Sequence, residues 1–148
     1  MYQHKVQYYE TDKMGIVHHS NYIRWMEEAR VDFLEELGWG FDRLEAGGLV
    51  SPVVSVQAKY RHSCQFAQRV DIAVWVRQYT GVRMELVYEM RLAGTDTIVC
   101  TGISEHCFLD AAGRPVRLKK EWSELDGILR EKAAAYAVQQ GQAGKSDC

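Results

Sequence analysis

One acidic side chain, one glycine and two histidines lie close together at positions 12–19 of the segment 8–22, which reads YYETDKMGIVHHSNY. Asp12 and Gly15 come shortly before His18 and His19, and a long apolar helix is predicted to begin directly after them. The first N–H groups of a helix have no partner inside the helix, and the helix dipole favours negative charge there. A carboxylate beside such donors suits attack on a carbonyl group whose oxygen gains negative charge. The spacing therefore favours chemistry at a carbonyl.

The helix that would position these residues is predicted from about residue 20 to residue 37. Ser20 is a suitable N-cap, and Gly38 suits the left-handed position that follows a last helical turn. Apolar side chains recur every three to four residues along it. They are Tyr22, Met26, Ala29, Phe33 and Leu37. A helix this apolar should pack against a sheet.

Most of the remaining chain alternates apolar and polar residues with the period of two that is typical of strands. The predicted strands cover residues 3–9, 50–61, 69–79, 82–92 and 96–109, with a short one at 116–118. Gly102 inside a long strand predicts a bulge or a bend, and glycine-bearing turns between strands favour antiparallel hairpins. This element order predicts an α+β fold in which five or six antiparallel strands wrap one long central helix.

The loop and the helix start resemble one known family. The motif Asp-x-x-Gly-Val-Val-x-His-x-Asn-Tyr marks hotdog-fold acyl-CoA thioesterases of the 4-hydroxybenzoyl-CoA thioesterase-like and YbgC-like type. Here residues 12–22 read DKMGIVHHSNY. Trp25, Glu28, Ala29 and Arg30 also resemble that family's helix. The resemblance covers roughly residues 2–120 in length and element order, but only the first 38 residues carry specific motifs. It implies a hotdog thioesterase domain over residues 1–122.

The resemblance implies roles for the residues of the loop. Asp12 falls on the family's catalytic carboxylate, which either attacks the thioester carbonyl or deprotonates the water that attacks it. An Asp at this position also suits a simple turn without catalysis. His19 would polarise the thioester oxygen through its backbone N–H, and its imidazole could orient water or protonate the departing thiolate. Gly15 is expected to allow a backbone angle or a close approach. Tyr8 matches a family tyrosine near the carboxylate, and His18 would line the acyl pocket.

Neighbouring residues of the same motif have structural interpretations. Asn21 is expected to brace the loop and Tyr22 to fill the core. Coenzyme A carries phosphates, so basic residues are expected along its groove, and Lys59 and Arg61 near a strand end are candidates for substrate binding. Such residues are more often solvated surface charges. Further basic candidates are His62, Arg77, Arg83, Lys119 and Lys120.

Length and composition limit the other possibilities. A chain of 148 residues fits one domain, and a net charge of −2 argues against nucleic-acid binding through phosphate neutralisation. No apolar run of 18 residues exists, so neither membrane insertion nor export is expected, and the protein is predicted to be cytoplasmic. A second helix is predicted over residues 123–138, followed by a polar, disordered tail over residues 139–148.

The cysteines and histidines do not have the spacing of a metal site. The cysteines form no Cys-x-x-Cys pair, and no His-x-x-x-His helix spacing exists, so we predict reduced structural thiols and no metal. The cysteines are Cys64, Cys100, Cys107 and Cys148.

These features together predict an acyl-CoA thioester hydrolase that releases a free carboxylic acid and coenzyme A. The hydrolase would use no cofactor, because coenzyme A is part of its substrate. The resemblance implies a groove between two protomers, hence a homodimer that pairs into a homotetramer. Two alternatives stay open: an acyl-thioester hydratase or dehydratase on the same fold, and a non-catalytic acyl-CoA-binding sensor. The sequence leaves the acyl group undetermined.

Overall fold

The computed structural model describes residues 1–146 and contains one five-stranded sheet. The strands are β1 (Tyr2–Lys5), β2 (Val53–Tyr60), β3 (Arg69–Tyr79), β4 (Arg83–Leu92) and β5 (Ile98–Cys107). The helices are α1 (Ser20–Glu36), α2 (Phe41–Ala46), α3 (Leu118–Glu121) and α4 (Ser123–Ser146). The sheet order is β1-β3-β4-β5-β2, and β1 pairs antiparallel with β3. The predicted α+β arrangement is confirmed.

The structure corrects four details of the predicted elements. The first strand ends at Lys5 instead of residue 9, and a 3₁₀ helix follows over Tyr8–Glu10 because the Glu10 side chain turns back to the backbone N–H of Gln7. The strand predicted at 116–118 is absent, since Leu118 begins α3. The short helix α2 was not predicted. Helix α4 continues to Ser146, through most of the segment predicted as a tail, and residues 147 and 148 of that tail lie outside the described residues.

The chain divides into two compact units, the first of which comprises residues 1–41, 56–74 and 87–103. In this unit α1 packs on β1 and buries one side of its surface. The buried apolar residues of α1 are Tyr22, Trp25, Met26, Ala29 and Leu34. Since Trp25 is fully buried, the helix is anchored in the core within its first two turns. This anchoring holds the helix start in one place, where the candidate residues lie.

Helix α1 ends in the way its sequence predicts. Gly38 has a φ of +83°, a left-handed conformation that favours glycine. Its N–H donates to the carbonyl of Glu35 at 2.9 Å, and the N–H of Trp39 donates to the carbonyl of Leu34 at 2.9 Å. These two bonds form a Schellman motif, which satisfies carbonyl groups that the helix leaves unpaired.

Gly102 has a packing role in the first unit. A Cβ atom on Gly102 would lie 2.1 Å from the Cε atom of the buried Met26 and 3.1 Å from the backbone oxygen of Gln57. The structure therefore explains this glycine by the close approach of a core side chain to β5, whereas the sequence suggested a bulge or a bend.

The second unit comprises residues 42–55, 75–86 and the described chain from residue 104 onwards. Helices α3 and α4 contact each other there, and they bury Leu118, Leu125 and Leu129. The carboxylate of Asp126 accepts hydrogen bonds from the Tyr79 hydroxyl at 2.6 Å and from the Arg130 Nε at 3.0 Å. These bonds tie α4 to the end of β3.

Strand β2 lies at one edge of the sheet and is unusually exposed. Val53, Val54, Val56 and Tyr60 are each between 41% and 49% exposed. An edge strand with apolar side chains offers unpaired backbone groups to another chain.

No helix within residues 1–146 is long and apolar enough to cross a membrane. Cys64 and Cys100 are buried free thiols, and Cys107 is a half-buried one, while Cys148 lies outside the described residues. Burial raises the pKa of Cys100 to about 11, which keeps its thiol protonated.

Candidate active site

The loop that carries the candidate residues is a tight hairpin in the first unit. Thr11 pairs with Val17 in an antiparallel bridge, and the N–H of Asp12 donates to the carbonyl of Ile16 at 2.9 Å. The N–H of Gly15 donates to the carbonyl of Asp12 at 3.0 Å, and Gly15 has a φ of +78°. The turn therefore needs a residue that adopts a left-handed backbone, as expected for Gly15.

Asp12 is exposed and its carboxylate is held by its own turn. The Oδ1 atom accepts the N–H of Met14 at 2.8 Å, which forms an Asx turn. Among the described residues, Oδ2 has no hydrogen-bond partner, so one oxygen of this exposed side chain is left available. The turn role that the sequence allowed is thus present, and it orients the carboxylate without consuming both of its oxygens.

His18 closes the end of the hairpin and prepares the start of α1. Its N–H donates to the carbonyl of Glu10 at 2.9 Å, and its Nδ1 atom accepts the N–H of Ser20 at 3.2 Å. The N-cap is His19, with φ −56° and ψ −27°, and not Ser20 as predicted. The reason is that the His18 ring satisfies the Ser20 N–H, so the chain is already helical at His19.

His19 offers a backbone N–H for which the structure shows no acceptor among the described residues. Its exposed ring lies 4.2 Å from the ring of His18 and 6.1 Å from that of Tyr60, measured between centroids. Tyr60 also contacts the buried Tyr22 at 5.3 Å. Burial raises the pKa of Tyr22 well above its usual range, so this phenol stays neutral and fills the core as predicted.

The predicted substrate-binding residues occupy three places. Gly15 and His18 lie in the same hairpin as Asp12. Tyr8 is 77% exposed in the 3₁₀ helix and stands edge-on to Phe66 at 5.7 Å. Lys59 and Arg61 line a cavity of about 180 Å³. The other lining residues are Gln57, Val87, Thr101, Gly102 and Ile103.

A buried carboxylate that the sequence did not predict lies directly before the loop. Glu10 is 4% exposed, and its Oε1 atom lies 2.7 Å from the Nε2 of His4 and accepts the N–H of Gln7 at 2.7 Å. Its Oε2 atom accepts the indole N–H of Trp25 at 2.6 Å. The Nδ1 of His4 lies 3.1 Å from a carboxylate oxygen of Glu28. The only local signal was the capping-box spacing of Gln7 and Glu10, because the other partners are remote in sequence.

The environment of Glu10 favours its ionised form. Burial acts to raise the pKa of this carboxyl, but the hydrogen bonds from the Gln7 amide, the Trp25 indole and the His4 ring outweigh burial and lower the pKa below its ordinary value. Asn21 bonds to the same segment, since its side-chain N–H donates to the Glu10 carbonyl at 2.9 Å. The predicted bracing role of Asn21 is therefore confirmed.

Comparison with known proteins identifies the family of this hairpin and helix. A family model described as the thioesterase-like superfamily matches residues 6–134. The chain belongs to this superfamily. The match includes the hairpin, α1 and all five predicted site positions from Tyr8 to His19. The predicted enzyme class, a thioester hydrolase, is thereby confirmed.

Two solved structures and one sequence relative are similar to this chain over most of their length. A solved DHNA-CoA thioesterase from Staphylococcus aureus superposes with a TM-score of 0.84 at 28% identity, covering 94% of this chain and 93% of that one. A solved structure named BH1999 gentisyl-coenzyme A thioesterase has a TM-score of 0.73 at 25% identity, covering 85% and 98%. A Bacillus subtilis (strain 168) protein with the provisional name acyl-CoA thioesterase YneP is 28% identical over 120 residues, 81% of this chain and 87% of that protein. The hotdog fold is confirmed.

Proposed function

We propose that this thioesterase hydrolyses acyl-CoA thioesters to a free carboxylic acid and coenzyme A, with Asp12 acting at the thioester carbonyl. The observation that carries the proposal is the exposed Asp12 carboxylate, which an Asx turn holds in the loop directly before α1. The names of the similar proteins, which refer to CoA esters, support the substrate class.

The chemistry follows from an anion and a donor in one loop. The His19 N–H at the helix start would donate to the thioester oxygen and stabilise the charge that develops there. An Asp12 oxygen either bonds to the acyl carbon, so that the thiolate leaves and water later splits the mixed anhydride, or it takes a proton from the water that attacks. In both routes the thiolate of coenzyme A departs and is then protonated. The exposed imidazoles of His18 and His19 could supply that proton.

The proposal assigns the substrate-binding residues by their places in the structure. Lys59 and Arg61, at their cavity of about 180 Å³, would pair with the phosphates of coenzyme A. The pantetheine arm and the acyl group would lie along Tyr8, Gly15 and His18. Gly15 and His18 belong to the same loop as Asp12, and Tyr8 lies immediately before that loop. The reaction needs no metal or redox cofactor, so incubation with a chelator should leave the rate unchanged. Loss of activity on chelation would overturn that part.

Asp12→Asn is the decisive variant because it preserves the turn. An asparagine oxygen can still accept the Met14 N–H, but an amide is neither a nucleophile nor a base here. Thiol release from acyl-CoA, followed with a chromogenic disulfide reagent, should show kcat reduced by about 10²–10⁴-fold. Asp96→Asn is the matched control, since Asp96 is exposed in a different turn. Near-normal hydrolysis by Asp12→Asn would remove Asp12 from the mechanism.

The same assay separates the proposal from its two alternatives. A hydratase or dehydratase would change the acyl chain and leave the thioester intact, so it would release no thiol. A sensor would bind acyl-CoA without turnover. Single-turnover hydrolysis in ¹⁸O-labelled water then tests the covalent route, because label in the Asp12 carboxylate indicates a mixed anhydride. Trapping of the anhydride tests the case in which water attacks its acyl carbon and leaves Asp12 unlabelled.

We further propose that the active unit is a homodimer, which pairs into a homotetramer. Support comes from the exposed valines of the edge strand β2. Val56→Lys should weaken an interface that covers this edge, because a charge would have to be desolvated there. Sedimentation should then show a shift toward monomer together with loss of activity. Gln78→Lys, at an exposed position of β3, is the control. A fully active wild-type monomer would contradict this proposal.

A further inference from the structure

Glu10 links two elements of the first unit to the catalytic loop. Its carboxylate bonds to His4 of β1 and to Trp25 of α1, each across less than 3 Å. Both partners are buried, with His4 8% and Trp25 0% exposed. The rings of His4 and Trp25 also contact each other, with centroids 4.5 Å apart. The side chain is therefore fixed by rigid, packed neighbours.

The backbone of the same residue holds the loop. The Glu10 carbonyl accepts the N–H of His18 at 2.9 Å and the side-chain N–H of Asn21 at 2.9 Å. Glu10 lies two positions before Asp12, and His18 directly precedes His19. Glu10 directly precedes the arm of the hairpin that carries Asp12, and its carbonyl bonds to His18 and to Asn21, on either side of His19. The residue therefore joins the segment of the candidate carboxylate to the segment of the candidate oxyanion donor.

We propose that Glu10 is a positioning residue, whose buried carboxylate sets the placement of Asp12 relative to the His19 N–H. This inference rests on the proposed function. Glu10 does not touch the substrate, because three donors occupy its oxygens and almost none of its surface is exposed. It acts by holding its own backbone, and therefore the loop, against β1 and α1.

The hydrogen-bond pattern makes Glu10→Gln a specific test. The Gln7 N–H and the His4 ring face one carboxylate oxygen, and the Trp25 N–H faces the other. A glutamine would place its NH₂ group against a donor in either orientation. The double variant Glu10→Gln with Trp25→Phe also removes the Trp25 donor. The NH₂ group of the glutamine can then point at the phenylalanine ring, which donates no hydrogen bond. The glutamine oxygen then keeps the other partners.

We expect kcat to fall by about 100-fold in Glu10→Gln, which is the effect of misplacing a catalytic group by about 1 Å. KM should stay within about twofold of the wild-type value. The double variant with Trp25→Phe should recover part of that loss. A merely structural residue would not give this rescue or this split between kcat and KM. Where Glu10→Gln fails to fold, Trp25→Phe alone tests the same bond, with a smaller expected fall in kcat. Wild-type kcat in the folded single variants overturns the positioning role.

A parallel measurement separates this inference from the proposed function. Amide exchange over residues 17–22 should quicken in Glu10→Gln if the carboxylate holds the helix start, whatever Asp12 does. Combining Glu10→Gln with Asp12→Asn should cause no further loss of kcat beyond that of Asp12→Asn. Wild-type activity of Asp12→Asn would overturn the proposed function. Unchanged exchange, or fully multiplicative losses of kcat in the combined variant, would overturn the role of Glu10.

Discussion

Gly15 allows the backbone of the loop and its access to substrate to be tested separately. Its φ of +78° is unfavourable for other residues, yet a Cβ atom built there would meet no atom within 4 Å. Gly15→Ala therefore changes no packing. The left-handed conformation costs a non-glycine residue roughly 1–2 kcal/mol. The lower entropy of the unfolded alanine variant offsets about 0.4–1 kcal/mol of this.

The net destabilisation by Gly15→Ala is thus about 1 kcal/mol, which lowers Tm by about 2–4 °C in a protein of this size. Gly15→Asn should lower Tm less, because asparagine adopts the left-handed region more readily. Gly94→Ala is the matched control. It has a φ of +75° and equally open surroundings, but it lies in another turn.

If substrate passes over the loop as proposed, any side chain at position 15 obstructs it. Both Gly15 variants should then raise KM for acyl-CoA by about tenfold or more, the scale on which binding sites discriminate a methyl group. Gly94→Ala should lower Tm by a similar amount with an unchanged KM. Steady-state thiol release and thermal unfolding give both quantities. Wild-type KM in Gly15→Ala and Gly15→Asn would refute the placement of substrate beside this turn.

Two further predictions concern stability. Burial acts to raise the pKa of Asp126, but the hydrogen bonds to its carboxylate, first that from Arg130 and then that from Tyr79, outweigh burial and lower the pKa below its ordinary value. The ionised carboxylate therefore stabilises the fold fully above the ordinary pKa of an aspartate, and this stabilisation is lost as pH falls through the lowered pKa. Asp126→Asn should lower the urea midpoint at neutral pH and flatten the decline of that midpoint in acid. An unchanged pH dependence of the midpoint would contradict this. Gly102→Ala should lower the free energy of unfolding by about 1–3 kcal/mol, because the added methyl group overpacks the core against Met26. Adding Met26→Val to this variant should recover part of the loss. Wild-type stability of Gly102→Ala would show instead that the core adjusts to the methyl group without cost.

The long elements were predictable because each repeats one period many times. Helix α1 begins at Ser20 as predicted, and β3 covers residues 69–79 as predicted. The failures lie where side chains compete with the backbone pattern. Residues 6–9 continue the alternation of a strand, but the Glu10 side chain bonds to the Gln7 N–H and bends the chain into a 3₁₀ helix. Such a bond depends on the burial of Glu10, which periodicity does not show.

The same contrast separates the predictable and unpredictable parts of the site. Asp12, Gly15 and His19 lie in one short segment, so their local geometry follows from a turn and a helix start that the chain order already determines. The two side-chain partners of the Glu10 carboxylate lie six residues before it and 15 residues after it, and they meet only because α1 packs on β1. Sequence motifs therefore locate the groups proposed to act on the substrate, whereas the Glu10 network proposed to position them depends on tertiary packing. A chain that kept the residues 12–22 motif but lost the acceptor at position 10 should fold a similar loop and hydrolyse slowly.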